Sequence, residues 1–159
     1  MSAPRVVGID PGLKGGIAIF NPDRTVSSVH IMPLRCGGVC VKELKRLIAS
    51  PCPTWVFVEQ AFARQYQGLK GTMTMFTNYG RLLAALEDLE VPYEIIPSVE
   101  WQKHYGIRGT DGATTKDQSI AICKSIYPDV NLKPHRFMSP HDGLSDAILI
   151  GRYGIDTRT

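Results

Sequence analysis

Four carboxylates stand where a sheet and a helix would place them for metal chemistry. Asp10 ends the apolar run "RVVGID" and is followed at once by a Pro-Gly turn. Glu59 ends a second run, "TWVFVEQ", at the same kind of apolar-to-polar boundary. Asp142 and Asp146 lie four apart in "HDGLSDAILIG", a spacing that on a helix brings their Cβ atoms to about 5–6 Å on one face. Converging carboxylates repel one another unless cations sit between them, and hard oxygen ligands suit Mg²⁺ or Mn²⁺. Two such ions about 3.5–4 Å apart can clamp a scissile phosphate, one activating the attacking water and the other stabilising the leaving 3′ oxygen. Each piece alone has an ordinary reading. Asp before Pro-Gly forms turns, Glu often ends strands, and an i,i+4 acidic pair usually faces solvent or a helix N-terminus. Their joint occurrence in this order along the chain is what points to a metal site.

The elements that must position these acids follow from periodicity. "RVVGID" is a short apolar run stopped by Pro-Gly, hence a buried strand. "GGIAIF" is a second strand, "NPDR" a turn and "TVSSVHIMP" a third strand, close enough together to form an antiparallel meander. "VCVKELKRLIA" is an amphipathic helix with Val41, Leu44, Leu47 and Ile48 on one face. "TWVFVEQ" is apolar throughout, as a central parallel strand would be. "GTMTMFTNYGRLLAALEDLE" has helical spacing through Met75, Tyr79, Leu82, Leu83, Leu86 and Leu89. "YEIIP" is a fifth strand stopped by Pro97. "SVEWQKHYG" is a short helix capped by Ser98, and "IRGTDGATT" a Gly-rich loop. In "TKDQSIAICKSIY", Thr115 and Gln118 are placed for a capping box. "PDVNLKPHRFMSP" is a loop, and "HDGLSDAILIGRYG" the last helix. This order predicts an α/β domain with a mixed five-stranded sheet flanked by helices, the ribonuclease H-like fold. In that fold the first and fourth strands are neighbours and the last helix packs across their ends, so the four acids converge.

Bulk properties set the outer limits. The chain has 159 residues and 43% hydrophobic content, which suits one domain over residues 1–159 with a full core. No apolar run is long enough for a membrane span, and the start "MSAPRVVGID" has no signal-peptide or transit-peptide character. A cytoplasmic protein without a membrane partner is expected. Net charge is +3, from 18 Lys+Arg against 15 Asp+Glu, a weak pointer to nucleic acid taken alone. Withdrawing the four acids into one metal site leaves 11 acidic residues against the 18. Cys36 and Cys40 could begin a zinc site, but no second pair completes it and His30 is poorly spaced. Reduced thiols, with Cys52 and Cys123, are the default.

With these segments in hand, the sequence resembles the RuvC-type Holliday-junction resolvases. "GIDPGLKGGIAIF" looks like the first motif of that family, "VFVEQAF" its second and "HDGLSDAILIG" its last. "IIPSVEWQKHYG" followed by "TTKDQSI" is similar to the stretch between. The likeness covers roughly residues 5–154. It implies a homodimeric, Mg²⁺-dependent endonuclease, with two ions per site and Mn²⁺ as a substitute, that cuts four-way and other branched DNA. The metal-binding acids of the family fall on Asp10, Glu59, Asp142 and Asp146. Bacterial members carry their last two ligands three apart, where this chain has Gly143. The four-residue spacing is similar to plastid and some phage-type resolvases, with His141 the alternative to Asp142 as third ligand. A family lysine at the start of a catalytic helix falls on Lys116. A second lysine falls near Gln102, with Lys103 displaced by one. These would hold phosphate or stabilise its developing charge. Lys14, Arg64, Lys70, Arg108 and Lys133 are further candidates for DNA-backbone contact.

Phe62 falls where such resolvases place an aromatic at the junction centre. It is read either as an exposed ring that stacks on unpaired bases or as a core residue beneath a loop. The helix over residues 71–90 matches the dimerisation element, and Met73, Met75, Phe76 and Tyr79 exceed what one buried stripe requires. A twofold dimer would present two sites to two opposed strands.

Three other functions compete. A nuclease of the same fold acting on RNA–DNA hybrids or general branched DNA would use the same acids. An actin-like ATPase or sugar kinase also opens on a strand ending in Asp before a Gly-rich turn, but needs two lobes and a second phosphate loop. A binding-only junction protein would not need the full acid set.

Overall fold

The computed structural model describes residues 5–50, 52–63, 65–109, 112–134 and 139–159. Strands β1 (Val6–Asp10), β2 (Gly16–Phe20) and β3 (Val26–Ile31) form the expected meander. A two-stranded hairpin follows, β4 (Leu34–Arg35) with β5 (Gly38–Val39), and then helix α1 (Val41–Ala49). Strand β6 (Trp55–Glu59) leads to the long helix α2 (Leu69–Asp88) and to β7 (Tyr93–Ile96). Three helices close the chain: α3 (Ser98–His104), α4 (Thr115–Ile126) and α5 (Asp142–Arg158).

The main sheet has the order β3-β2-β1-β6-β7. The meander is antiparallel, and β1–β6 and β6–β7 are parallel, so the five-stranded sheet is mixed as expected. Apolar residues on both faces of the central strands dictate helices on both sides. On one face Val6, Ala18, Phe20 and Phe57 pack with Leu144, Ala147 and Ile148 of α5. On the other, Val7, Ile9, Ile17, Val56 and Val58 meet Leu44 and Ile48 of α1 and Leu82 and Leu86 of α2.

Helix α5 lies unusually close to the sheet because glycines let it. A Cβ on Gly8 would sit 2.2 Å from the Ala147 carbonyl oxygen and 2.5 Å from the Gly151 nitrogen. At the N-terminal end, a Cβ on Gly143 would sit 2.3 Å from the Lys14 carbonyl oxygen. The backbones of β1, β2 and α5 are therefore in direct contact, which fixes the height of the helix over the strand ends.

Local details differ from expectation in five places, the first being that α2 starts and ends two residues before the predicted 71–90. The β4–β5 hairpin, in "LRCGGV", was not anticipated; it takes Val39 out of the predicted helix. Its turn uses positive φ at Cys36 and Gly37. A buried Asn78 on α2 accepts from the Val39 N–H at 2.8 Å and anchors the hairpin. Ser98 is the first residue of α3 rather than its cap; Pro97 holds the cap position, with no side-chain capping bond. The capping box of α4 is made by Thr114 and Asp117, one residue before the expected pair. Gln118 instead accepts from the N–H groups of Arg108 and Gly109, at 2.9 and 3.2 Å, tying down the preceding loop. Helix α5 runs on to Arg158, beyond the predicted end at Gly154. Its glycines there serve close packing and do not stop the helix. All four cysteines are free. Among the described residues, no helix is long and apolar enough to cross a membrane.

Candidate active site

Register places the first two acids. In the parallel β1–β6 pair, Ile9 lies opposite Val58. Asp10 and Glu59 are the next residues, at the same end of adjacent strands. Both are half-buried and line a cleft of about 250 Å³ together with Phe62, Tyr79, Ser98 and Gln102. The Gly12 N–H donates to Asp10 Oδ1 at 3.1 Å, so the Pro-Gly turn holds the carboxylate that precedes it. Trp101 Nε1 donates to Glu59 Oε1 at 3.4 Å from a ring only 1% exposed. Burial, opposed by the Ala61 backbone and aided by the Glu59 charge, raises the Tyr79 phenol above its usual range.

The second pair is carried by α5 and faced by α4. Lys116 Nζ lies 2.8 Å from Asp142 Oδ2. Burial pulls the Asp142 carboxyl upward, but the hydrogen bond and charge of Lys116 outweigh it, and the group lies below the usual carboxylate range. One turn further along both helices, the Ser119 hydroxyl donates to Asp146 Oδ1. Asp146 is pushed up to about 7, by burial first and then by the charges of Asp10 and Asp142, against the opposing pull of Ser119 and Lys116. Its surroundings also push the buried Cys123 thiol up to about 12, through burial and then the Asp146 charge. Asp146 thus feels the charges of both Asp10 and Asp142, across the junction of sheet and helix.

Among the described residues, no three His, Cys, Asp or Glu side chains are gathered closely enough to hold a metal ion. The carboxylates have protein partners instead. The donor chemistry fits a hard divalent cation all the same. All four groups are carboxylates, and the strain on Asp146 is of the kind that a cation between the acids removes.

The remaining candidates separate by position. Phe62 is 53% exposed and lines the cleft, so it is not a core residue. Lys14 and Lys70 are exposed near the Asp10 turn, and Lys70 lines a groove with Gly12 and Leu13. Arg108 and Lys133 are exposed on loops. At the position of the second family lysine, Gln102 lines the cleft, while Lys103 is exposed outside it. Arg64 lies outside the described residues. On α2, Met73 and Phe76 are exposed, but Met75 and Tyr79 turn into the cleft wall and leave the free face. Two residues in contact with the acids, Trp101 and Ser119, were not singled out from the sequence. Trp101 was visible only as an aromatic in a short helix. Ser119 carried no signal, since a serine inside a helix has many possible partners.

Close packing accounts for the spacing of the helix pair. A carboxylate three residues before Asp146 would stand at Gly143, where the backbone of Lys14 and Gly15 leaves no room for a side chain. Asp142, one position earlier, is free of that contact and still shares a face with Asp146.

The fold is the ribonuclease H-like fold in the form seen in RuvC-type resolvases. Thermus thermophilus RuvC, solved in complex with a Holliday junction substrate, is similar over 98% of this chain and 97% of that one, with TM-score 0.69 and 15% identity. The fowlpox virus Holliday junction resolvase is similar over 96% and 99%, with TM-score 0.65 and 12% identity. The yeast mitochondrial Holliday junction resolvase Ydc2 is similar over 94% and 78%, with TM-score 0.51 and 15% identity. No family model and no curated protein matches the sequence.

Proposed function

We propose that this protein is a RuvC-type resolvase: a structure-selective endonuclease that cuts four-way DNA junctions by paired, metal-dependent phosphodiester hydrolysis. The observation that carries the reading is the placement of Asp10 and Glu59 at the same end of adjacent strands, lining one cleft, with Asp142 and Asp146 on the helix packed against those strands. Neighbouring acids disfavour one another's charge, and divalent cations are what would make them useful together. The solved neighbours, two named as Holliday junction resolvases and one solved with a Holliday junction substrate, support the substrate class.

Asp10, Glu59, Asp142 and Asp146 would hold two Mg²⁺ ions, with Mn²⁺ as a substitute. The ions would activate the attacking water and stabilise the leaving 3′ oxygen. The chain does the rest. Gly12 and Trp101 restrain the sheet acids. Lys116, exposed beside Asp142, can exchange its carboxylate partner for a substrate phosphate. Lys14, Lys70, Lys103, Arg108 and Lys133 offer charge to the DNA backbone, and Phe62 offers a ring to an opened junction centre. Arg64 belongs to the same proposed set.

The free apolar face at the start of α2 supports a homodimer. Leu69 is 77% exposed and Met73 61%, with Phe76 beside them. A twofold pairing there would cover this surface and set two clefts against two strands.

The deciding experiment incubates the protein with Mg²⁺ and labelled four-way junction, duplex and RNA–DNA hybrid, then maps the cuts. Paired, symmetric nicks across the junction are expected. Cutting of hybrids without preference for branches would favour the general-nuclease alternative, and no cutting of any substrate would remove the reading.

A further inference from the structure

Helices α4 and α5 meet in two rungs of different character. Lys116 and Ser119, three apart on α4, face Asp142 and Asp146, four apart on α5. The first rung is open: the Lys116 side chain is 65% exposed. The second is closed, since Ser119 is 1% exposed and Ser145, beside it, is fully buried. A serine inside a helix usually satisfies its hydroxyl on its own backbone, three or four residues back. Ser145 does so, donating to the Asp142 carbonyl at 2.8 Å. Ser119 reaches across to the neighbouring helix instead.

Proton counting fixes the direction of the closed rung. Each hydroxyl has one proton to give. Ser145 spends its proton on the Asp142 carbonyl and can only accept from Ser119, 3.0 Å away. The Ser119 proton therefore has two acceptors, the Ser145 oxygen and the Asp146 carboxylate. Once Asp146 is ionised, as a metal ligand must be, it is the charged acceptor and makes the stronger bond, so the proton goes to Asp146 Oδ1. That bond engages one carboxylate oxygen and leaves Oδ2 for another partner.

We infer that Ser119 is a positioning residue, which fixes the Asp146 carboxylate so that Oδ2 is presented to a cation. This deepens the proposed reading and rests on Asp146 being a metal ligand. Ser119 touches neither substrate nor metal. It acts as hydrogen-bond partners of metal ligands act elsewhere, where their loss typically costs about 10–100-fold in metal affinity.

The test measures Mn²⁺ binding directly, by titration followed by electron paramagnetic resonance, on the whole protein without DNA. Ser119→Ala should weaken Mn²⁺ binding about tenfold or more. It should raise the Mg²⁺ concentration needed for half-maximal junction cutting by a similar factor, with most of the rate recovered at high Mg²⁺. Junction affinity in Ca²⁺ should not change. Ser119→Cys, which keeps a weak donor and nearly the same volume, should fall between Ser119→Ala and the unaltered protein. It carries the comparison alone if the alanine variant does not fold. Equal Mn²⁺ affinity in both folded variants would overturn the inference and leave the resolvase reading standing. A rate loss that high Mg²⁺ cannot restore would also overturn it. Failure of the unaltered protein to bind Mn²⁺ would overturn both.

Discussion

The two sheet acids and the two helix acids are held in place by different means. Asp10 and Glu59 are set by strand register, at the ends of adjacent strands whose preceding residues are buried. Their partners, a turn N–H and the Trp101 indole, are fixed by the fold itself. Asp142 and Asp146 sit on a helix whose height is set by glycine contacts, and both are held by side chains of another helix. The sheet pair is thus rigid and framed by a cleft. The helix pair is adjustable at Asp142 and tightly enclosed at Asp146. The proposed function, which would admit cations and a charged polymer, calls for both kinds of support.

The largest effect should come from the enclosed member. Asp146→Asn should reduce junction cutting to background while leaving junction binding intact or tighter, because a negative charge near DNA is removed. Gel-shift and cleavage assays on the same preparation measure both. The same variant separates the two pairs by pH. The folded-state pKa of Asp146 is raised to about 7 from 3.8. The folded metal-free protein therefore holds a proton that the unfolded chain releases between those values. Its contribution is fully present below the unfolded pKa and is lost as pH rises through the folded one. Metal-free protein should melt lower at pH 8 than at pH 5. Asp146→Asn should flatten that difference and raise the pH 8 stability, by about 4 kcal/mol at most. Mg²⁺ should also raise the melting temperature at pH 8, since a ligand of the folded state stabilises it. An equally flattened profile in Asp10→Asn would erase the distinction between the pairs.

The sheet pair was legible in the sequence, and the support of the helix pair was not. Strand ends announce themselves: an apolar run, a carboxylate and a turn. The i,i+4 spacing of Asp142 and Asp146 likewise follows from helix geometry. The ion pair of Lys116 with Asp142 and the Ser119 bond depend on how α4 docks on α5, which no local pattern encodes. The capping box moved by one residue because Thr114 and Thr115 both fit its pattern, and only the loop entering α4 chooses between them. The short β4–β5 hairpin escaped notice because two-residue strands carry no periodicity and its anchor, Asn78, lies on a later helix. The exposure of Phe62 was undecidable for the same reason: a ring just past a strand end can turn either way.

Packing offers the next contrast. Gly143→Asp would restore the three-residue spacing to Asp146 but push a side chain into the backbone of Lys14 and Gly15. A loss of about 1–3 kcal/mol from overpacking is expected in denaturant unfolding. Asp142→Asn, at the partly exposed Lys116 pair, should stay within about 1 kcal/mol of the unaltered protein. If Gly143→Asp were as stable as Asp142→Asn, backbone contact would not be what sets the helix pair.

Binding should follow charge more than either pair of acids. Lys14, Lys70, Lys103, Arg108 and Lys133 are all exposed, and each phosphate contact they make releases counterions, so junction affinity should fall steeply between low and physiological salt. Each single Lys→Ala change should reduce the slope of log affinity against log salt by about 1 where that residue touches phosphate. A flat salt response would mean that this surface does not hold DNA.

The smallest effect, and the most selective, concerns the cleft of the sheet pair. Phe62 follows Glu59 by three positions, beyond the buried part of β6, and its ring is half in solvent at the mouth of the cleft. At a four-way junction the central pairs are strained, and an aromatic ring entering there can stack on a base for about 1–3 kcal/mol. That energy would help open the centre and settle the scissile phosphate against Asp10 and Glu59. Phe62→Ala should then slow cutting of intact junctions by about tenfold, the equivalent of roughly 1.4 kcal/mol of lost stacking. Junctions built with unpaired central bases should lose less, because the opening is already made. The melting temperature should stay unchanged, since the ring is exposed. Equal losses on both substrates, with a lowered melting temperature, would show that Phe62 supports the cleft wall and leave the sheet pair without its aromatic partner.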